Sequence, residues 1–234
     1  MNAIDYTYKC WLDTINPGKL KDTLGKLLTV SGFGVCGEAH KYFEPEGYSK
    51  VWLLSESHLA IHTYTDDNRT ALCLSSCIEE YYKRFSSLIE KTDLNPKNCI
   101  HIVGVPDKGW RVNLVPADEQ AWGMMTSMRI DFCNPNKIRS GESIANYTRE
   151  LCELIEMKRY GEPQIPFFGE DQRVSGYSLN QFIETSNVTG HFRNENDRIY
   201  MDVFSCKEYD PELAVDFTKK YFNGVKSEYL VLNR

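Results

Sequence analysis

The sequence predicts an α+β fold built twice: two homologous halves, each an antiparallel sheet covered by helices. Three observations predict it. Gly47-Tyr48-Ser49 returns 129 residues later as Gly176-Tyr177-Ser178. At the same spacing Ser57 matches Ser186, His62 matches His191 and Cys77 matches Cys206. Each half also mixes short β-branched or aromatic runs with stretches whose apolar residues recur at helical spacing. Six identities at one spacing mark an internal duplication, since each residue type makes up only a few percent of ordinary usage.

The elements follow in order. Ile4-Asp5-Tyr6 resembles Ile130-Asp131-Phe132, and each leads into an amphipathic helical stretch, 19–28 in the first half and 142–158 in the second. Residues 51–61 and 177–182 read as strands, and 70–75 and 198–204 alternate as strands do. Residues 79–89 carry helical spacing, and Pro211-Glu212 with Leu213, Val215 and Phe217 opens a helix, with Pro at a tolerated first-turn position. Gly, Pro and acidic residues over 104–122 mark turns that close the first half. The expected division is therefore 1–122 and 123–234. Two such halves are expected to pack about a pseudo-twofold axis as a four-layer αββα sandwich, like a homodimer joined into one chain.

Composition narrows the function. The chain has 234 residues, 27 Lys+Arg against 33 Asp+Glu, and a net charge of −6. That balance gives no electrostatic reason to expect nucleic acid or an anionic membrane as a partner. No apolar run approaches the ~18 residues of a membrane span. The start, Met1-Asn2-Ala3-Ile4-Asp5, has neither a basic stretch nor an apolar core, so a cytoplasmic location is expected. Eight cysteines in such a chain read as free thiols, most of them small buried hydrophobes. Cys73 and Cys77 have no second pair at zinc spacing, so no metal is expected.

Within 47–77 lie a Glu56-Ser57 peptide, a histidine five residues beyond the serine and a cysteine twenty beyond it. A serine hydroxyl can attack the carbonyl of its own preceding peptide bond, given oxyanion support and a nearby base. β-Elimination from the resulting ester breaks the chain and leaves a pyruvoyl group, which can take the electrons of a departing carboxylate as PLP does. Spacing alone does not reach this chemistry. In one copy, a strand serine, an edge histidine and a core cysteine is the better account.

Leu54-Ser55-Glu56-Ser57-His58-Leu59-Ala60-Ile61-His62-Thr63 resembles the processing signature of the S-adenosylmethionine decarboxylase family, above all its small prokaryotic branch. The resemblance implies cleavage at Glu56–Ser57, a pyruvoyl cofactor made from Ser57, His62 at the processing-histidine position and Cys77 at the proton-donor position. It further places Ser49 in the site, Phe43 as the aromatic that stacks on substrate, and Asp66 where the family usually has Glu. In the second half Ser178, Ser186, His191, Glu195 and Cys206 sit at the family positions. Thr185 instead of Glu precedes Ser186, Asn187 replaces the histidine after it, and Gln172 stands at the linear position of the stacking phenylalanine.

The prokaryotic branch shares each site between protomers, and duplicated members keep that arrangement in one chain. Mapped residue by residue, the resemblance implies one site of Ser57 and Cys77 with Ser178, His191 and Glu195. A second would join Ser186 and Cys206 to Ser49, His62, Asp66 and Phe43. The first is expected to be the live one, because only it has the Glu-Ser bond. Phe43 belongs with the other, leaving Phe167 or Phe168 as substitutes. The implied roles are His191 as proton carrier, Ser178 as hydrogen-bonding support, Cys77 as acid and Glu195 as ribose ligand.

The implied function is decarboxylation of S-adenosylmethionine, a small-molecule substrate, for spermidine synthesis. Gln172 keeps open a pyruvoyl-dependent arginine or ornithine decarboxylase of the same family. The departures at Thr185, Asn187 and Gln172 keep open an unprocessed regulatory paralogue. Further pairing into a homodimer is also open.

Overall fold

The computed structural model of the chain describes residues 5–43, 47–55, 57–105, 109–114, 123–168, 175–184 and 186–233. It divides into two compact units, Met1–Glu119 and Gln120–Arg234. The first contains β1 (Asp5–Leu12), α1 (Pro17–Ser31), β2 (Val35–Phe43), β3 (Gly47–Leu54), β4 (Ser57–Tyr64), β5 (Arg69–Ser76), α2 (Glu79–Ile89), β6 (Lys97–Val105) and β7 (Gly109–Leu114). The second contains β8 (Met124–Asp131), α3 (Pro135–Ile138), α4 (Gly141–Leu154), β9 (Arg159–Gln164), β10 (Phe167–Phe168), β11 (Gly176–Ile183), β12 (Ser186–Arg193), β13 (Arg198–Ser205), α5 (Pro211–Tyr221) and β14 (Lys226–Asn233).

Each unit is one antiparallel sheet with helices on a single face, an α+β arrangement. The first sheet runs β2-β3-β4-β5-β1-β6-β7. The second runs β10-β11-β12-β13-β8-β14, with β9 also paired to β11. Strand alternation sends Tyr8, Leu12, Trp52, Leu54, Leu59, Ile61, Leu72 and Leu74 to the helix side, where Leu20, Leu24 and Leu28 of α1 and Phe85 and Ile89 of α2 complete the core. In the second unit Ile130, Leu179, Val188, Phe192, Ile199 and Val203 meet Ile144, Tyr147 and Leu151 of α4 and Ala214 and Val215 of α5.

Local chemistry sets the helix ends. The Asn16 side chain accepts from the Lys19 amide at 3.0 Å, and Pro17 follows in the first turn. Gly32 ends α1 at φ 99°, a left-handed conformation that glycine adopts at little cost. Ser140 caps α4 and Asp210 caps α5 in the same way. The helix expected over 142–158 ends sooner, at Leu154, with Glu156 just beyond it at φ 55°.

The duplication is visible strand by strand, with one correction. Pairing to the cysteine strand aligns Leu12 (opposite Thr70) with Ile130 (opposite Ile199). Thus Leu12-Asp13, and not Ile4-Asp5, is the counterpart of Ile130-Asp131. Ile4 itself lies outside the described residues. The run 51–61 is also two strands rather than one, a hairpin folded between Leu54 and Ser57. The stretch read as turns over 104–122 contains the end of β6 and all of β7.

Gly47 and Gly176 open the equivalent strands β3 and β11 for a steric reason. A Cβ at Gly47 would stand 2.2 Å from the Thr63 carbonyl oxygen, and one at Gly176 1.9 Å from that of Phe192. Only glycine lets these strands begin so close to the ends of their neighbours.

Candidate active site

Three small devices recur in both units. The first is a Ser–His pair across neighbouring strands. Ser49 stands opposite His62 and its Oγ lies 2.7 Å from Nδ1; Ser178 stands opposite His191 at 2.8 Å. Ser49, Ser178 and His62 are buried, while His191 is half-buried. Both pairs lie on the sheet face away from the helices, the side chains of even-numbered β4 residues and odd-numbered β3 residues.

The second is a tight hairpin whose far strand starts with serine. Leu54 pairs with Ser57, and Ile183 with Ser186, so two residues form each loop. The first loop residue is tied down in the same way both times. The Ser55 amide donates to the Gly34 carbonyl at 3.0 Å, and the Glu184 amide to the Lys158 carbonyl at 3.1 Å. The second loop residues, Glu56 and Thr185, lie outside the described residues.

The third device is the turn that carries the cysteine. Ser57 pairs with Ser76, so Cys77 is the first residue past that ladder. Ser76 Oγ accepts the Ile78 amide at 3.1 Å, and Ser205 Oγ accepts the Lys207 amide at 3.0 Å. These serine turns hold Cys77 and Cys206 beside the hairpin serines, both half-buried.

The two hairpin serines differ. Ser186 Oγ accepts the Cys206 amide at 3.1 Å and lies 3.6 Å from its sulfur. Ser57 Oγ is buried and has no hydrogen-bond partner among the described residues. Leaving a buried hydroxyl unsatisfied costs about 1–3 kcal/mol, so this atom is held out of the hydrogen-bond network at an energetic expense.

Within one half the structure does not bring the serine and the histidine of the motif together. Ser57 and His62 are five residues apart on β4. At roughly 3.3 Å per residue that is about 16 Å, and an odd separation puts them on opposite faces. Ser186 and His191 are related identically on β12.

The carboxylates stand in exposed turns. Asp66 lies in the turn ended by Asn68 at φ 50°, Glu195 in the turn ended by Asp197 at φ 48°. The largely buried Arg193 lies 3.4 Å from Glu195. Phe43 is buried and pairs with Gly47 at the end of β2. In the second sheet the residue that pairs with Gly176 is Phe168. Phe168 therefore takes the place of Phe43. Gln172, assigned there by linear spacing, lies outside the described residues.

A model of the family described as S-adenosylmethionine decarboxylase matches residues 6–100 and 127–234. The chain belongs to the S-adenosylmethionine decarboxylase family. Each matched segment contains one Ser–His pair, one hairpin serine and one cysteine turn, so the family's unit is present twice. An S-adenosylmethionine decarboxylase proenzyme of Symbiobacterium thermophilum is 38% identical over 58 residues, 25% of this chain and 44% of that protein. One of Brevibacillus brevis is 36% identical over 78 residues, 33% of this chain and 58% of that protein. The chain thus spans about half the length of the curated relatives it matches. The crystal structure of the Aquifex aeolicus adenosylmethionine decarboxylase aligns with 49% of this chain and 92% of its own, at 16% identity and a TM-score of 0.42.

Proposed function

We propose that the chain is a pyruvoyl-dependent S-adenosylmethionine decarboxylase proenzyme that cuts itself between Glu56 and Ser57. The observation that carries this reading is the unpartnered, buried Ser57 Oγ at a two-residue hairpin. A hydroxyl with no competing hydrogen bond is available to attack the carbonyl of the preceding residue, which a strand serine satisfied by a neighbour is not. Ser186 is buried at an equivalent hairpin, but its Oγ is engaged by the Cys206 amide and Thr185 precedes it instead of Glu.

In this reading the working site combines Ser57 and Cys77 with Ser178, His191, Glu195 and Phe168. The separation of Ser57 from His62 along β4 is the reason to take the histidine from the other repeat. Ser57 Oγ bonds to the Glu56 carbonyl carbon as the peptide C–N bond breaks, giving an ester. His191 carries the protons of ester formation and elimination, with its Nδ1 held by Ser178. Elimination releases the Glu56 carboxylate, and hydrolysis of the dehydroalanine left at residue 57, with uptake of water and loss of ammonia, would give the pyruvoyl group, which would supply the electron sink for loss of CO₂ from a bound amino acid. Cys77, beside it in the chain fold, delivers a proton to the substrate α-carbon. Glu195 binds ribose hydroxyls, and the Phe168 ring faces the sulfonium, a contact worth about 0.5–2 kcal/mol. The product is the aminopropyl donor for spermidine. Ser49, His62, Asp66, Phe43, Ser186 and Cys206 are then the residues of a second, idle site.

An aromatic at the stacking position suits the sulfonium of S-adenosylmethionine better than a basic amino acid, and Phe168 in the register of Phe43 supports that choice. Mass spectrometry under denaturing conditions tests the proposal: fragments 1–56 and 57–234 are expected, the latter blocked at its N-terminus by the pyruvoyl. A single uncut chain overturns it. Release of labelled CO₂ from carboxyl-labelled S-adenosylmethionine, and not from arginine or ornithine, tests the substrate.

A further inference from the structure

We propose that Cys10 and Cys99 form a peroxide-reactive dithiol site, in which Cys99 is the attacking thiol and Cys10 resolves it to a disulfide. The site lies on the helix side of the first sheet, apart from the residues assigned to decarboxylation. β1 and β6 pair Lys9 with Ile100 and Trp11 with Lys97, and the register shifts between them. The extra residue is accommodated by Asn98 at φ 51°. Cys10 therefore faces Asn98 and Cys99 together. Adjacent antiparallel positions have Cα atoms about 4.5–5.5 Å apart, inside the ~4.4–6.8 Å range of disulfides. Both side chains point to the same apolar core, Cys10 within it and Cys99 packed against its edge.

The surroundings favour a thiolate at Cys99. Tyr8 Oη lies 3.1 Å from its sulfur, and the Cys10 thiol also hydrogen-bonds to it. These donors bring the Cys99 thiol down to about 6, chiefly through Cys10, against burial, which pushes it up. The core side holds Tyr8, Tyr82 and His101, and Glu90 is the carboxylate that opposes ionisation. Cys99 is half-buried and so reachable by a small oxidant, while Cys10 is buried behind it. The second sheet does not share the pair. Met128 and Tyr229 stand opposite each other there, at the positions of Cys10 and Cys99. The decarboxylase unit therefore does not require it.

The chemistry balances with a hydroperoxide as oxidant. The Cys99 thiolate attacks the peroxide oxygen, the O–O bond breaks, and Cys99 becomes a sulfenic acid as one water or alcohol leaves. Cys10 sulfur then attacks that sulfur, forming the S–S bond and releasing a second water. Two thiols supply the two electrons that reduce the peroxide.

The native full chain is treated with hydrogen peroxide, blocked with iodoacetamide and mapped by non-reducing peptide mass spectrometry. A peptide pair joined through Cys10 and Cys99, 2 Da lighter than the two thiol peptides together, is the expected product. Cys10→Ser should instead leave Cys99 trapped by dimedone, and Cys99→Ser should abolish the linkage. At pH 6.5, Cys99 of the untreated chain should alkylate at least about 10-fold faster than the exposed Cys36. Absence of the joined peptide, or alkylation of Cys99 no faster than Cys36, overturns the proposal.

Discussion

Phe168 pairs with Gly176 at the register position where Phe43 pairs with Gly47. The two phenylalanines are equivalents in the duplicated sheets, although they differ by 125 positions and the flanking strands by 129. If the working site takes Ser178, His191 and Glu195 from the second unit, its aromatic is Phe168. Phe168→Ala should raise KM for S-adenosylmethionine about 10-fold, the loss of roughly 1.4 kcal/mol of cation–π and stacking contact, with kcat changed less. Phe43→Ala should leave KM within about twofold. Steady-state kinetics of both variants checks this, and the reverse order would assign the live site to the other combination of halves.

The five-residue separation of Ser57 and His62 makes a second prediction. A histidine about 16 Å away on the opposite face of the same strand cannot exchange protons with Ser57. His191→Ala should therefore slow cleavage at Glu56–Ser57 by about 100-fold or more, whereas His62→Ala should still be cut. A time course on denaturing gels, with Ser57→Ala as the uncut control, distinguishes them. Cleavage that needs His62 and not His191 would mean that each half processes itself.

The cysteine strands are legible in the sequence because their alternation is regular and their repeats keep a constant spacing, whereas the continuous apolar run over 51–61 hides the hairpin folded between Leu54 and Ser57. The edges were not legible in the same way. Between Phe43 and Gly47 lie three residues, but between Phe168 and Gly176 lie seven, so a constant spacing slides onto Gln172. Pro163 and Pro166, with Gly161 at φ 71°, also disguise β9 and β10 as loop. Proline is tolerated there because an edge strand has a free side on which no amide is needed. Asn98 at φ 51° breaks the alternation of β6 in the same manner. The Ser–His pairs follow from register alone, since residues thirteen apart in a hairpin with a two-residue loop must meet. The unsatisfied Ser57 Oγ, by contrast, is a property of packing that no pattern of letters encodes.

The glycines that open β3 and β11 are predicted to be intolerant of even one carbon. A methyl at Gly176 would sit 1.9 Å from the Phe192 carbonyl oxygen, and the strand start would have to move away. That movement would pull Ser178 from His191 two residues along. Gly176→Ala should lower stability by about 2 kcal/mol or more and slow self-cleavage further than the stability loss explains. Gly25→Ala serves as a control, because nothing lies within 4 Å of the added carbon and the position is helical. Gly25→Ala should be neutral or slightly stabilising in urea unfolding.

Stability should fall on mild acidification through His101. Burial lowers its pKa below the ordinary 6.5, and its Nδ1 is hydrogen-bonded to Tyr82 Oη at 2.6 Å. The unfolded chain therefore binds the proton more readily than the folded one. The contribution is complete above about pH 6.5 and is lost as pH falls towards the lowered folded value. Melting temperature should thus decline between pH 7 and 5.5, and His101→Gln, which keeps an acceptor for Tyr82 but cannot titrate, should flatten that decline. An unchanged slope in the variant would place the titrating group elsewhere.

Cys77 and Cys206 occupy equivalent turns and are predicted to have unequal consequences. Each follows a strand end fixed by a serine that accepts the amide two residues on, so neither sulfur is needed to build its turn. At Cys206 the nearby Ser186 Oγ is held by the backbone amide at 3.1 Å, a contact that Cys206→Ala keeps. That variant should retain near-normal cleavage and turnover. Cys77→Ala should also be cut, because ester formation and elimination draw on Ser57 and His191. It should then fail in turnover, since the α-carbon that loses CO₂ needs a proton from a positioned acid, an effect typically worth about 10²–10⁴ in rate. Progress curves on fully cleaved enzyme separate the two steps. Near-wild-type turnover by Cys77→Ala would remove the thiol from the chemistry and leave it as a residue of the turn.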